Sequence, residues 1–273
     1  MARMQLKNGS GHLYEWDHLQ SGRRWRMREI LAVHVGGRSY ERTVEQCVEW
    51  AEHRESRTVI FANVHVVMEA FDNPFLRAEL NKADIVNPDG MPLVWALRAL
   101  GERDASRVYG PDTTEMVLQA AERSGIPVGF YGSAESTLEA LTLEVRRRYP
   151  ELKIVFTMSP PFRPLNVTED EEIVRLVSAS GARILFVGLG CPKQESWVMA
   201  HRNQIPAVML AVGAAFDYLA NTKPQAPRWM MRSGLEWLFR LCSEPRRLAG
   251  RYLKHNPRFV GLFVRDWLTK RAT

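Results

Sequence analysis

Ala83-Asp84-Ile85-Val86-Asn87-Pro88-Asp89-Gly90-Met91-Pro92 is the stretch whose reading decides the fold. Ile85 and Val86 make a short apolar strand that runs into a Pro-Asp-Gly turn. Pro92 then stands in the first turn of a helix, where the N–H that proline lacks is not needed. That helix is expected over Leu93–Leu100, with Gly101 as its stop. One carboxylate, Asp89, is therefore set at the C-terminal end of a strand, the edge at which open α/β sheets bind ligands. Asp and Gly are also ordinary turn residues, so the stretch alone leaves a capping role and a chemical role for Asp89 both open.

The same strand-then-helix rhythm extends in both directions. Upstream, Ile30–Val35 and Thr58–Ala62 have strand character. Thr43–Arg54 reads as a helix with Val44, Cys47, Val48 and Ala51 on one face, and Asn73-Pro74 opens another that runs to Lys82. Downstream, strands are expected at Arg107–Gly110, Val128–Tyr131, Lys153–Met158, Ile184–Val187 and Val208–Val212. The helices between them are Thr113–Ser124, Ala134–Tyr149, Glu169–Ser180 and Lys193–Gln204, and Thr168 to Glu171 reads as a capping box for the third. Short apolar strands alternating with helices imply an α/β fold, a mostly parallel sheet with helices on both faces in a Rossmann-like arrangement. Past Pro224-Gln225-Ala226-Pro227 the rhythm breaks. Three helices, Arg228–Leu241, Pro245–Lys254 and Pro257–Lys270, follow one another as a C-terminal helical appendage. The expected organisation is a leader over residues 1–28, a catalytic α/β domain over 29–222 and the appendage over 223–273.

Composition narrows the function classes. The 273 residues are 45% hydrophobic and 25% charged, an ordinary globular balance. Three scattered cysteines, none in a C-x-x-C, argue against a disulfide scaffold or a zinc motif. No apolar run is long enough to span a bilayer. Charge is unevenly placed: from Pro224 onward eleven Lys/Arg face three Asp/Glu, a balance of +8, while the remainder sums to −2. Such a tail wants an anionic partner. Its mix of arginine with Trp229, Trp237, Tyr252 and Trp267 suits packing or a membrane interface, and no nucleic-acid-binding signature accompanies it. The basic cluster Arg23 to Arg26 in the leader reads as a flexible or partner-binding arm.

Several residues carry candidate chemistry. Gly188-Leu189-Gly190 lacks the third glycine of a dinucleotide fingerprint, because position 193 is Lys. In its place Cys191-Pro192-Lys193-Gln194-Glu195 turns from strand to helix. Lys193 and the helix N–H groups suit a diphosphate, Gln194 suits a sugar or base, and Glu195 is expected to cap its own helix. Asn63 ends a strand as a turn residue or a hydroxyl binder. Arg107 either pairs with Asp104 on the surface or neutralises a leaving diphosphate. His65 reads as structural. Asp217 follows the last strand within reach of the same sheet edge. With no D-x-D pair and no His/Asp cluster at metal spacing, the sequence predicts no cofactor and no bound metal, and stabilisation of a leaving phosphate by Arg, Lys and backbone N–H groups.

Taken in order, NPDGMP (87–92), RVYGPD (107–112), VGLGCPKQESW (187–197), AVGAAFDYLA (211–220) and APRWM…GLEWLFRLCSEPRRLAGRY (226–252) resemble the WecG/TagA/CpsF glycosyltransferases, glycosyltransferase family 26. The resemblance implies an inverting, metal-independent hexosyl transfer from a UDP-sugar to a saccharide on undecaprenyl diphosphate. The donated sugar would be N-acetylmannosamine, its uronic acid, glucose or glucuronate, and the product would feed cell-surface polysaccharide. It places the general base on Asp89 and substrate contacts on Asn63, Arg107 and Gln194, with the tail residues Arg246, Arg247 and Arg251 folding over the site. It also implies a peripheral protein on the cytoplasmic face of the membrane, bound to an anionic surface, and leaves a homo-oligomer open. The alternative of another class is a non-catalytic protein that binds a nucleotide sugar or lipid phosphate.

Overall fold

The computed structural model describes residues 5–7, 13–15, 27–36 and 39–272. Most of the leader, including Arg23 to Arg26, lies outside the described residues. Two short antiparallel hairpins come first: β1 (Gln5–Lys7) with β2 (Leu13–Glu15), and β3 (Met27–Ile30) with β4 (Val33–Gly36). Then follow α1 (Tyr40–Glu52), β5 (Arg57–Ala62), α2 (Val64–Asp72), α3 (Pro74–Leu80), β6 (Ile85–Pro88) and α4 (Met91–Ala99). The chain continues through α5 (Gly110–Arg123), β7 (Val128–Gly132), α6 (Glu135–Arg148), β8 (Ile154–Met158), α7 (Val167–Ser180) and β9 (Ile184–Gly188). It closes with α8 (Lys193–Ala200), β10 (Val208–Ala211), α9 (Ala215–Leu219), α10 (Arg228–Arg232), α11 (Glu236–Ser243) and α12 (Pro245–Ala272).

Six strands form one sheet in the order β6-β5-β10-β9-β7-β8. The pairs β5–β10, β10–β9, β9–β7 and β7–β8 are all parallel. All four residues of β10 are buried, as are the first four of β9. That is why these strands are continuous apolar runs rather than alternating ones. The fold is thus the α/β, mostly parallel architecture read from the sequence, with a helical C-terminal segment.

The chain packs as two compact units, each drawn from separate parts of the sequence. One holds Ser39–Ile60 and Gly110–Lys223 with the first hairpin. Its core stacks Phe130 on Phe186, centroids 5.5 Å apart, with Phe216 edge-on to Phe130 at 5.7 Å. Glycine is obligatory at 188, because a Cβ there would stand 2.6 Å from the Phe216 ring. The other unit holds the second hairpin, Phe61–Tyr109 and Pro224–Thr273. Within it Arg258 pairs with Asp72 at 2.6 Å, and the Trp267 indole N–H donates to the Ala99 carbonyl at 3.1 Å. Leu248 and Phe259 of α12 are buried. Gly234, at φ +77°, lets the chain pass Trp95, whose Cη2 would lie 2.7 Å from an added Cβ.

Several local expectations are corrected. Ile30–Val35 is two strands, turning at Leu31 and Ala32 with φ of 49° and 66°. No Gly or Asn marks this turn. It is held instead by the Asn81 side chain, which donates to the Ala32 carbonyl and accepts from the His34 N–H, both at 2.9 Å. Arg107–Gly110 is not a strand: Arg107 to Tyr109 are irregular, and Gly110 already begins α5. Asn63 opens a helix, α2, that strand-like valines conceal in the sequence. Asn166, not Thr168, caps α7, in a reciprocal box with Glu169. α8 ends at Ala200, short of Gln204. Pro257 lies inside α12, where two separate helices were expected. Pro257 has no N–H to give the Leu253 carbonyl, and both residues lie on the exposed face of α12, where loss of that bond is least costly.

Candidate active site

The site belongs to the second unit and begins at the end of β6. The Asp89 N–H donates to the Ala62 carbonyl at 2.8 Å, which fixes the turn beyond the strand. The N-cap of α4 is Gly90, and no side chain makes a cap hydrogen bond there. The capping role for Asp89 is therefore not the one it plays. Its carboxylate instead faces Arg107, Nη2 to Oδ1 at 3.5 Å, and the Arg107 Nε–H donates to the Asp89 carbonyl.

Arg107 does not pair with Asp104 in this arrangement; its strong partner is Glu236 at the start of α11, Nη2 to Oε2 at 2.6 Å. Tyr109 supports both groups. Its hydroxyl donates to Glu236 Oε1 at 3.3 Å, and its ring lies under the guanidinium with 4.1 Å from Cζ to centroid. Burial by itself would lower the Arg107 pKa, but Asp89 and Glu236 more than reverse this and hold it above the usual arginine value. A buried cation between two carboxylates leaves one net negative charge on the cluster, so the guanidinium is firmly held and the acid beside it is not fully neutralised.

A cavity of about 110 Å³ opens over this cluster. Asn63, Asp89 and Arg107 line one side. The tail contributes Glu236, Arg240, Arg251, Tyr252 and His255. Asn63 caps α2, its Oδ1 accepting from the N–H groups of His65 and Val66 at 3.0 and 3.2 Å. That fixes the amide so that its NH₂ is the edge able to donate to a ligand. The tail is held over the cavity by its packing on α2 and α4, and Trp237 meets Tyr252 edge-on at 6.1 Å.

Of the sequence-predicted residues, Asn63, Asp89, Arg107 and Arg251 are brought together around this cavity. Arg246 and Arg247 are exposed at the start of α12 and do not line it; Arg247 is ion-paired with Glu244. Lys193, Gln194 and Asp217 belong to the first unit. Lys193 is exposed at the first residue of α8. Gln194 is buried, accepts from the Gly190 N–H at 3.0 Å and donates to Glu195 Oε1 at 2.9 Å. Asp217 pairs with Lys223 at 3.0 Å. The N-cap of α8 is Pro192, and Glu195 is wholly enclosed instead of capping at the surface. Burial pushes its carboxyl up to about 7.

Sequence reasoning missed Glu236, Arg240 and His255. Glu236 lies in the GLEW run, but nothing local tells that its partner is Arg107, 129 positions away.

Among known proteins, the family model described as "Glycosyl transferase WecG/TagA/CpsF family" matches residues 28–273. A relative from Bacillus spizizenii is 29% identical over 199 residues, covering 72% of this chain and 76% of its own length. It is named N-acetylglucosaminyldiphosphoundecaprenol N-acetyl-beta-D-mannosaminyltransferase.

Proposed function

Because the chain belongs to the WecG/TagA/CpsF glycosyltransferase family, we propose that it moves a hexosyl group from a UDP-sugar to a saccharide carried on undecaprenyl diphosphate, inverting the anomeric centre. The observation that carries this reading is the Asp89–Arg107–Glu236 cluster under a cavity walled by the arginines of the tail. The acceptor class follows the printed name of the Bacillus relative.

Asp89 takes the proton from the acceptor hydroxyl as its oxygen bonds to the anomeric carbon. The bond from that carbon to the nucleoside diphosphate breaks, and negative charge grows on the departing phosphate. Arg107, Arg240 and Arg251 are the cavity's cations and stabilise that charge. Base catalysis of this kind is worth about two to four powers of ten. Asn63 orients the sugar by donating from its NH₂. No step calls for a divalent ion.

Access to a lipid-linked acceptor suits a peripheral position on the cytoplasmic membrane face. No helix among the described residues is long and apolar enough to cross a membrane. α12 instead exposes Leu253, Val260, Val264 and Leu268 along one stripe at helical spacing, with Lys254, Arg258 and Arg265 beside it. Apolar side chains flanked by cations are what an interfacial helix needs on an anionic leaflet.

The test is a donor screen. The full chain is incubated with UDP-N-acetylmannosamine, its uronic acid, UDP-glucose and UDP-glucuronate, together with a short-chain lipid-diphosphate N-acetylglucosamine, and products are weighed by mass spectrometry. One donor should extend the acceptor by one hexosyl unit. Binding of these donors with no extension by any of them would favour a non-catalytic binding protein instead.

A further inference from the structure

Outside the Asp89 cluster, one group of side chains has geometry that the transfer reaction does not use. His65 and Glu69 stand one turn apart on α2, and His255 comes across from α12. Each offers one ligand atom, and these atoms lie within 4.8 Å of one another. His65 Nδ1 is 3.6 Å from Glu69 Oε1, and His255 Nε2 is 3.5 Å from the same oxygen. These separations are long for hydrogen bonds. They are close to the roughly 3.3–3.6 Å edge of a tetrahedron whose ligands sit about 2.0–2.2 Å from a central zinc ion. His65 Nδ1, the ring nitrogen that faces Glu69, is buried without a hydrogen-bond partner, a costly condition that a bound cation would relieve. The two rings are tilted by 53° with centroids 5.1 Å apart, so they converge without stacking face to face.

We propose that His65, Glu69 and His255 form a three-ligand site for a divalent cation of the zinc class, clasping α12 to α2 at the wall of the cavity. Two imidazoles and one carboxylate are a donor set that suits zinc. Burial, followed by the charge of Arg251, lowers the His65 pKa to about 4. Burial, followed by Lys254, lowers that of His255. Both rings therefore present the neutral form that binds metal at ordinary pH. Arg251 and Lys254 oppose a cation, so the site binds more weakly than a closed four-ligand zinc site. His65 and His255 line the cavity, and the fourth position is therefore filled by water or by an anionic oxygen. The ion has no part in the transfer step: its role is to hold the tail in place, and the assignment stands apart from the glycosyl-transfer reading.

The test uses the full, untagged chain stripped with EDTA and titrated with Co²⁺. One equivalent should give the intense visible absorption of a tetrahedral N/O site, Zn²⁺ should abolish it, and Zn²⁺ should raise the melting temperature. His255→Ala should lose the band. Glu69→Gln, nearly isosteric, should keep the far-UV circular dichroism while weakening uptake by more than about tenfold. No stoichiometric uptake by the parent chain, or uptake unchanged in both variants, overturns the proposal.

Discussion

Asp89→Asn separates the chemistry of the cluster from its architecture. Asp89 is the more distant of the two carboxylates on Arg107, at 3.5 Å against 2.6 Å for Glu236. At an effective dielectric of about 20 these gaps correspond to gross attractions of about 5 and 6 kcal/mol. Asparagine at 89 leaves Arg107 with Glu236 and brings the cluster from one net negative charge to neutrality, so no buried charge is orphaned. The backbone contacts of the turn, the Asp89 N–H to Ala62 and the Asp89 carbonyl to Arg107, do not depend on the side chain. The stability cost should therefore stay below about 2 kcal/mol, while transfer falls by about two to four powers of ten. Arg107→Ala supplies the contrast: it leaves two partly buried carboxylates without their cation and should cost about 3–5 kcal/mol. Thermal melting and single-turnover transfer to the lipid-linked acceptor read the two quantities. Asp89→Asn turning over within threefold of the parent chain would refute the general-base assignment, and melting as low as Arg107→Ala would refute the charge accounting.

The remaining predictions address the fold around the site. Folded Glu195 keeps its proton up to about pH 7, against 4.5 for a glutamate in water, so the folded state binds more protons between those values and stability falls as pH rises through them. The loss is about 3 kcal/mol, and Glu195→Gln should flatten it, as urea titrations at pH 5 and pH 8 would reveal. Gly234→Ala places a Cβ 2.7 Å from Trp95 at a positive φ and should cost about 2–4 kcal/mol in melting experiments, loosening the tail over the cavity. Leu253→Ser with Val260→Ser and Val264→Ser should keep the melting temperature, since all three are exposed, yet release the chain from anionic liposomes. Undiminished sedimentation with the vesicles would move the membrane contact elsewhere.

Much of the fold was legible in the sequence because its signals are local. β9 and β10 are unbroken apolar runs with a glycine or proline close by on each side, as strands enclosed on both faces must be. The Pro-Asp-Gly-Met-Pro turn announced a carboxylate at a strand end, because proline's fixed φ and glycine's backbone freedom are properties of the residues themselves and not of distant neighbours. At two of the places where structure departed from that reading, tertiary surroundings outweighed the local signal. Asn81 stabilises a turn that has no turn residue, and solvent exposure at Leu253 and Pro257 lets α12 run through a proline.

The sequence by itself determined most of the element types, the basic tail and the placing of Asp89 on a sharp turn, since each follows from short-range periodicity or chain chemistry. Tertiary structure alone decided that Arg107 answers to Glu236, that Arg251 and not Arg246 or Arg247 reaches the cavity, and that His255 meets His65 and Glu69. These pairings join residues far apart along the chain, and spacing along a chain does not encode which faces of remote elements pack together.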